Sequence, residues 1–169
     1  TFTLVPGSCL GVFGGSIAWG DYDGDGDLDL LVTGVTATSA EGLPATRLYR
    51  NDGGVFTSVA HPFPNCQSGA VAWGDYNNDG KLDVVIAGSS DTQGLVAAIW
   101  RNDGGGNFTN IGAPLPGMDL GFAVWGDYDN DGDLDLLFGG ASYAIEGAVT
   151  RIYRNDGGTF TNINAGLEG

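Results

Sequence analysis

Hydrophobic and polar positions in this chain form short, strand-length bursts separated by turns rich in Gly, Asp and Asn. No segment holds a helical apolar period over 11 residues. Ile17–Trp19 alternates apolar and small residues, which suits an inner strand. Asp29–Thr33 is apolar and β-branched and predicts a second strand, and Thr46–Arg50 predicts a third. Asn51-Asp52-Gly53-Gly54 favours positive φ and closes a hairpin onto a fourth strand, Val55–Val59.

This pattern recurs three times. Trp19-Gly20-Asp21-Tyr22-Asp23-Gly24-Asp25-Gly26-Asp27-Leu28-Asp29 aligns with Trp73 through Asp83 and with Trp125 through Asp135. Each is followed by an Arg-Asn-Asp-Gly-Gly turn, at Arg50–Gly54, Arg101–Gly105 and Arg154–Gly158, and then by Phe-Thr. Counting from Phe2, the Phe positions lie 54, 52 and 52 residues apart. A period near ~50 residues marks a propeller or another stacked array. Trp19, Trp73 and Trp125 are expected to pack between neighbouring sheets. Arg50, Arg101 and Arg154 are expected either to hold the hairpin turn or to pair with the acidic loop.

Composition narrows the function. Of 169 residues, 42% are hydrophobic and 16% charged, which argues against disorder, and the 31 glycines show no period of three, which excludes collagen. No apolar run is long enough to span a membrane. The net charge of −15 repels a phosphate backbone, so nucleic acid is a poor partner and cations are good ones. With His61 the only histidine, no mechanism needing two fits one chain.

Thirteen of the 21 acidic residues fall in the three nine-residue windows Asp21–Asp29, Asp75–Asp83 and Asp127–Asp135. Such density is self-repelling unless a cation is present. The spacing is D-x-[DN]-x-D-G-x-x-D. Calcium takes about six to eight oxygen ligands, and oxygens at positions 1, 3 and 5 converge if the chain turns sharply at a glycine in position 6. A backbone carbonyl at position 7 and a carboxylate at position 9 complete the expected shell. The candidate ligands are therefore Asp21, Asp23, Asp25, Asp29 and the Asp27 carbonyl; Asp75, Asn77, Asp79, Asp83 and the Lys81 carbonyl; and Asp127, Asp129, Asp131, Asp135 and the Asp133 carbonyl. Three calcium sites are expected, one per repeat. The second is expected to be weaker, because Asn77 removes a charge and Lys81 adds an opposing one. These are not EF-hands, since position 12 holds Val32, Ile86 and Phe138 rather than Glu. Magnesium prefers a smaller, water-rich shell, and zinc and copper lack His or Cys ligands in these loops.

The loop, the Leu-Tyr-Arg-Asn-Asp-Gly-Gly turn and the Phe-Thr strand together resemble FG-GAP/VCBS repeats, the blades of integrin-α-type β-propellers. The resemblance covers nearly the whole chain. Its Phe-Gly element fits at Phe13-Gly14-Gly15 but not at Ser68-Gly69 or Gly121-Phe122. It implies an all-β fold of three four-stranded antiparallel blades, with calcium held between the first two strands of each. Residues 11–60, 61–112 and 113–169 would be the blades, and 1–10 would carry an extra copy of the fourth strand, Thr1–Val5. The resemblance also implies extracellular work at a cell surface or in secreted form: adhesion, recognition or scaffolding. A non-enzymatic role is expected because metal binding, turns or packing account for every repeated polar residue. Because the chain starts and stops at nearly the same phase of the repeat, it reads as a segment of a longer array or as a unit joining head to tail into a ring or filament.

Other features leave alternatives open. Cys9 and Cys66 could form a disulfide between neighbouring blades or be two small buried apolar residues. Asn107-Phe108-Thr109 is an N-glycosylation acceptor, and the Thr/Ser-rich stretch from Thr33 to Thr46 could carry O-glycans. Phe63, Trp100 and Tyr143 would be the stacking aromatics of a calcium-dependent lectin. A polysaccharide-lyase-type enzyme is disfavoured, because carboxylates ligating a metal are poor general bases.

Overall fold

The computed structural model describes residues 9–36, 42–142 and 147–167. Thr1–Val5, the extra copy of the fourth strand, lies outside them, as does Tyr143. The described residues are all-β and form three antiparallel sheets. Sheet 1 runs β1 (Val12–Phe13), β2 (Ile17–Gly20), β3 (Asp29–Thr36), β4 (Leu43–Asp52) and β5 (Val55–Val59). Here β1 and β2 are two pieces of one interrupted first strand, both paired with β3. Sheet 2 is the meander β6 (Gln67–Gly74), β7 (Asp83–Ser90), β8 (Gly94–Gly104) and β9 (Asn107–Asn110). Sheet 3 is β10 (Asp119–Gly126), β11 (Asp135–Ser142), β12 (Gly147–Asp156) and β13 (Thr159–Asn162).

The sheets stack in sequence order. The first strand of each packs on the first two of the sheet before it: β6 on β2 and β3, and β10 on β6 and β7. β7, in the middle sheet, is therefore covered on both faces and reads as a continuous apolar run. β3 is buried along its whole length as well, its second face covered where Leu10, Val12 and Phe56 pack on Leu30, Val32 and Tyr49. Leu31 and Leu48 of sheet 1 meet Val71, Val84 and Ile86 of sheet 2. Val85 and Ile99 of sheet 2 belong with Leu136, Phe138 and Tyr153 of sheet 3 in the second core cluster. Each such side chain, fully buried, contributes about 1.5–3 kcal/mol.

A kink at the entry to each first strand explains the imperfect Phe-Gly element. Gly14, Ser68 and Leu120 occupy equivalent positions with φ of 58°, 51° and 51°. The next residue is Gly in all three: a Cβ at Gly15 or Gly69 would overlap the carbonyl oxygen of Thr33 or Ala87, and one at Gly121 would lie 2.8 Å from that of Gly139. Steric demand thus falls on the second glycine and not on the Phe-Gly pair.

Candidate metal centre

Each acidic loop joins a first strand to a second and is wound around its own leading aspartate. Asp21 accepts the backbone N–H groups of Gly24, Asp25 and Gly26 at 2.8, 3.1 and 3.0 Å. Asp75 accepts those of Asp79 and Gly80, and Asp127 those of Asp131 and Gly132. The sharp turn falls at Gly26, Gly80 and Gly132, with φ of 95°, 82° and 97°, as the spacing predicts. A second left-handed residue, at position 4, escapes the sequence reading: Gly24, Asn78 and Asn130, with φ of 77°, 57° and 62°. Its signal was the choice of Gly and Asn, the residues that adopt this region most readily.

The ninth-position carboxylates close the loops from inside. Asp29, Asp83 and Asp135 are buried. Asp29 accepts Tyr22 N–H at 3.0 Å and Asn51 N–H at 2.8 Å. Asp83 and Asp135 make the same pair of bonds in their own sheets. Burial raises the pKa of Asp29, against the pull of those two N–H groups, and pushes Asp83 up to about 6.

In the first and third loops three carboxylates converge: Asp21 with Asp23 and Asp29, and Asp127 with Asp129 and Asp135, each trio offering oxygens within 4.8 Å of one another. In the second loop Asp75 and Asp83 stand at the matching positions with Asn77 between them in place of the third carboxylate, and the Lys81 ammonium lies 2.9 Å from Asp79. That ammonium, hydrogen-bonded to it, lowers the Asp79 pKa. The fifth-position residues stand outside the trios. Asp25, Asp79 and Asp131 each accept the N–H two residues on, from Asp27, Lys81 and Asp133. The seventh-position residues enter through their side chains: Asp27 accepts Gly53 N–H and Asp133 accepts Gly157 N–H, tying loop to hairpin turn.

The recurring Asn-Asp-Gly-Gly turn does more than turn. Asn102 Nδ2 donates to Tyr22 O of the preceding sheet at 2.8 Å and to Leu82 O at 3.1 Å. Asn155 Nδ2 repeats this on Tyr76 O and Leu134 O at 2.7 and 3.1 Å. Each asparagine thus fastens its own sheet to the acidic loop of the one before. Threefold recurrence was the signal, but Asn-Asp-Gly-Gly also satisfies a turn, which masked the second role. The arginines resolve to the turn: Arg50, Arg101 and Arg154 pair with Asp52, Asp103 and Asp156 at 2.7–2.8 Å.

Trp73 and Trp125 fill the expected inter-sheet positions. Their indole N–H groups donate to Ala18 O and Ala72 O, and their rings stack on Tyr22 and Tyr76 at 6.1 and 6.4 Å. Trp19 departs from this: it lies on the outer face of sheet 1, 56% exposed, because no sheet precedes it among the described residues.

Cys9 is exposed and Cys66 buried, both as free thiols, so no disulfide joins them here; burial pushes the Cys66 thiol up to about 12. Asn107 is exposed at the β8–β9 hairpin, with Nδ2 donating to Gly104 O. Of the candidate sugar-stacking rings, Phe63 is buried and edge-on to Trp100 and Phe108, which places it in the core. His61 stacks on Phe63 with Nε2 3.1 Å from Thr46 O, a packing role.

Comparison with known families agrees with this geometry. A model of the FG-GAP-like repeat matches residues 35–86 and 75–138, and one of the FG-GAP repeat matches 13–41. These matches cover well over half the chain, which belongs to the FG-GAP repeat family, a β-propeller-type repeat module. No curated protein matches the chain. Among the described residues, no helix is long and apolar enough to cross a membrane.

Proposed function

We propose that this chain is a non-enzymatic, extracellular calcium-binding module whose loops rigidify a row of propeller blades for a structural or adhesive task. One observation carries the reading: two separate loops each bring three carboxylates within 4.8 Å at the same three repeat positions. The donor set is all oxygen, which fits calcium. Asp21, Asp23 and Asp29 would hold one ion, and Asp127, Asp129 and Asp135 another. Asp75, Asn77 and Asp83 would hold a third more weakly, with a neutral amide in place of a carboxylate and the Lys81 ammonium beside the loop. The ion would supply the positive charge that these clustered carboxylates lack. Calcium would also brace the array, because the first two loops include the Tyr22 and Tyr76 carbonyls to which Asn102 and Asn155 of the next sheet donate. Family membership supports this reading, as does the millimolar calcium found outside cells.

Thermal unfolding with calcium, magnesium or chelator tests it. An ion held at ten times its dissociation constant stabilises by about 1.4 kcal/mol per site. Two occupied sites then raise the Tm by roughly 6–12 °C for a chain of this size. Identical melting in all three conditions would refute the calcium reading.

A further inference from the structure

Hydrogen bonds join the three acidic loops, running from one ninth-position carboxylate to the next. Asp29 accepts Tyr22 N–H, the carbonyl of the same Tyr22 accepts Asn102 Nδ2 of the next sheet, and the backbone N–H of Asn102 reaches Asp83 at 2.7 Å. The path then repeats. Asp83 accepts Tyr76 N–H, Tyr76 O accepts Asn155 Nδ2, and Asn155 N–H reaches Asp135 at 2.8 Å. Every residue on this path is buried, where its bonds are stronger than they would be in water.

The second and third loops share a further link that the first and second lack. Asn78 Nδ2 crosses from the second loop to the third, donating to Asp133 Oδ1 at 2.8 Å and to Gly132 O at 3.2 Å. The fourth position of the first loop is Gly24, which has no side chain to donate. The seventh position of the second loop is Lys81, which offers no carboxylate and turns its ammonium to Asp79. Asp133 is itself a junction: its Oδ2 accepts Gly157 N–H of the hairpin turn, and its backbone N–H bonds Asp131. Asn78 thus grips the part of the third loop that bears the expected position-7 carbonyl. In its own loop it stands between Asn77 and Asp79, at positions 3 and 5.

We propose that the second and third loops take up calcium cooperatively, with Asn78 as the positioning residue that couples them more strongly than the first loop is coupled to the second. This rests on the calcium reading of the loops and adds how occupancy of one governs its neighbour. A filled second loop fixes Asn77 and Asp79, and with them the Asn78 amide between. That amide then holds Gly132 and Asp133 in place before the third loop fills. The cost of ordering the shared segment is met once, so the later uptake is tighter. Coupling is reciprocal, and a filled third loop tightens the second by the same factor. Repulsion between two bound cations opposes this, but physiological salt screens it over about 8 Å.

Equilibrium dialysis of the full chain against calcium in physiological salt tests it. The second loop fills last, so the dissociation constant of the last ion reports on it. Asp129→Ala, which disables the third loop, should weaken that last ion ~5-fold or more, the lower end of coupling between sites. Asp23→Ala, which disables the first, should weaken it less. Asn78→Gly should weaken it roughly 3-fold, the worth of about one exposed hydrogen bond. The fold should survive this change, because Gly24 holds the same left-handed backbone in the first loop, with φ of 77° against 57° at Asn78. Combined with Asp129→Ala, Asn78→Gly should have no further effect, whereas an intrinsic defect of the second loop would persist. Three outcomes would overturn the coupling while calcium binding stands: a last ion unmoved by Asp129→Ala, an Asp23→Ala effect as large as that of Asp129→Ala, or an Asn78→Gly effect that is absent or equal in both backgrounds. Less than one ion bound per folded chain would overturn the calcium reading, and the coupling with it.

Discussion

Replacing Asn102 by Ala removes one side chain that joins two sheets. Its Nδ2 bonds to Tyr22 O and Leu82 O, and its Oδ1 accepts Gly104 N–H at 3.0 Å; the side chain is 1% exposed. Each bond contributes about 1 kcal/mol net, and a carbonyl left orphaned in a buried place adds a further penalty of about 1 kcal/mol or more. The expected loss is therefore about 3–4 kcal/mol. Asn51→Ala is the internal control. It loses the bond to Leu28 O and the acceptor for Gly54 N–H, both at an exposed site where water takes over, so about 1 kcal/mol is expected. The difference isolates the inter-sheet link. Urea unfolding followed by tryptophan emission, at concentrations where the chain is single, reads it directly. With a denaturant slope of about 2 kcal/mol per molar, the midpoint should fall by roughly 1.5–2 M for Asn102→Ala and about 0.5 M for Asn51→Ala. Equal shifts would refute the claim that this residue fastens one sheet to the loop of another.

Three further outcomes follow from single positions. Leu120 holds φ of 51° while 77% exposed, so Leu120→Gly should stabilise by about 0.5–1 kcal/mol, raising Tm by a few degrees; an unchanged or lower Tm would show that the left-handed backbone is not strained there. Gly74→Ala places a Cβ 2.6–2.9 Å from the Trp125 ring and should cost about 1–3 kcal/mol by urea unfolding, and a neutral result would contradict the packing described. Burial lowers the His61 pKa, so the folded state resists the proton that the unfolded state accepts below about pH 6.5; stability therefore falls as pH drops through that value and is unaffected above it. The stability difference between the parent and His61→Phe should shift in favour of the variant between pH 7 and about pH 5.5, and a constant difference would exclude the effect.

The shape of the acidic loops was legible because it is local: the carboxylate spacing and the position-6 turn lie within nine residues, and Gly26, Gly80 and Gly132 adopt the turn. The strand cores were legible for the same reason. Strand ends were less so, since β3 runs on to Thr36 and β4 starts at Leu43, where pairing rather than composition extends them. Asp25 and Asp131, read as ligands, also accept backbone N–H groups of their own loops through one carboxylate oxygen, a contact the spacing alone did not announce. One role was not legible. The inter-sheet role of Asn102 and Asn155 links residues about 80 apart, and a motif shows no distant partner.

Whether the acidic loops are calcium sites is tested most directly by equilibrium dialysis of the chelator-stripped chain against radioactive calcium, raised to millimolar free ion. The account predicts two ions per chain bound first, a third only at higher concentration, and loss of one of the first two in Asp129→Ala. Less than one ion per chain at millimolar calcium, with the chain folded, would contradict it.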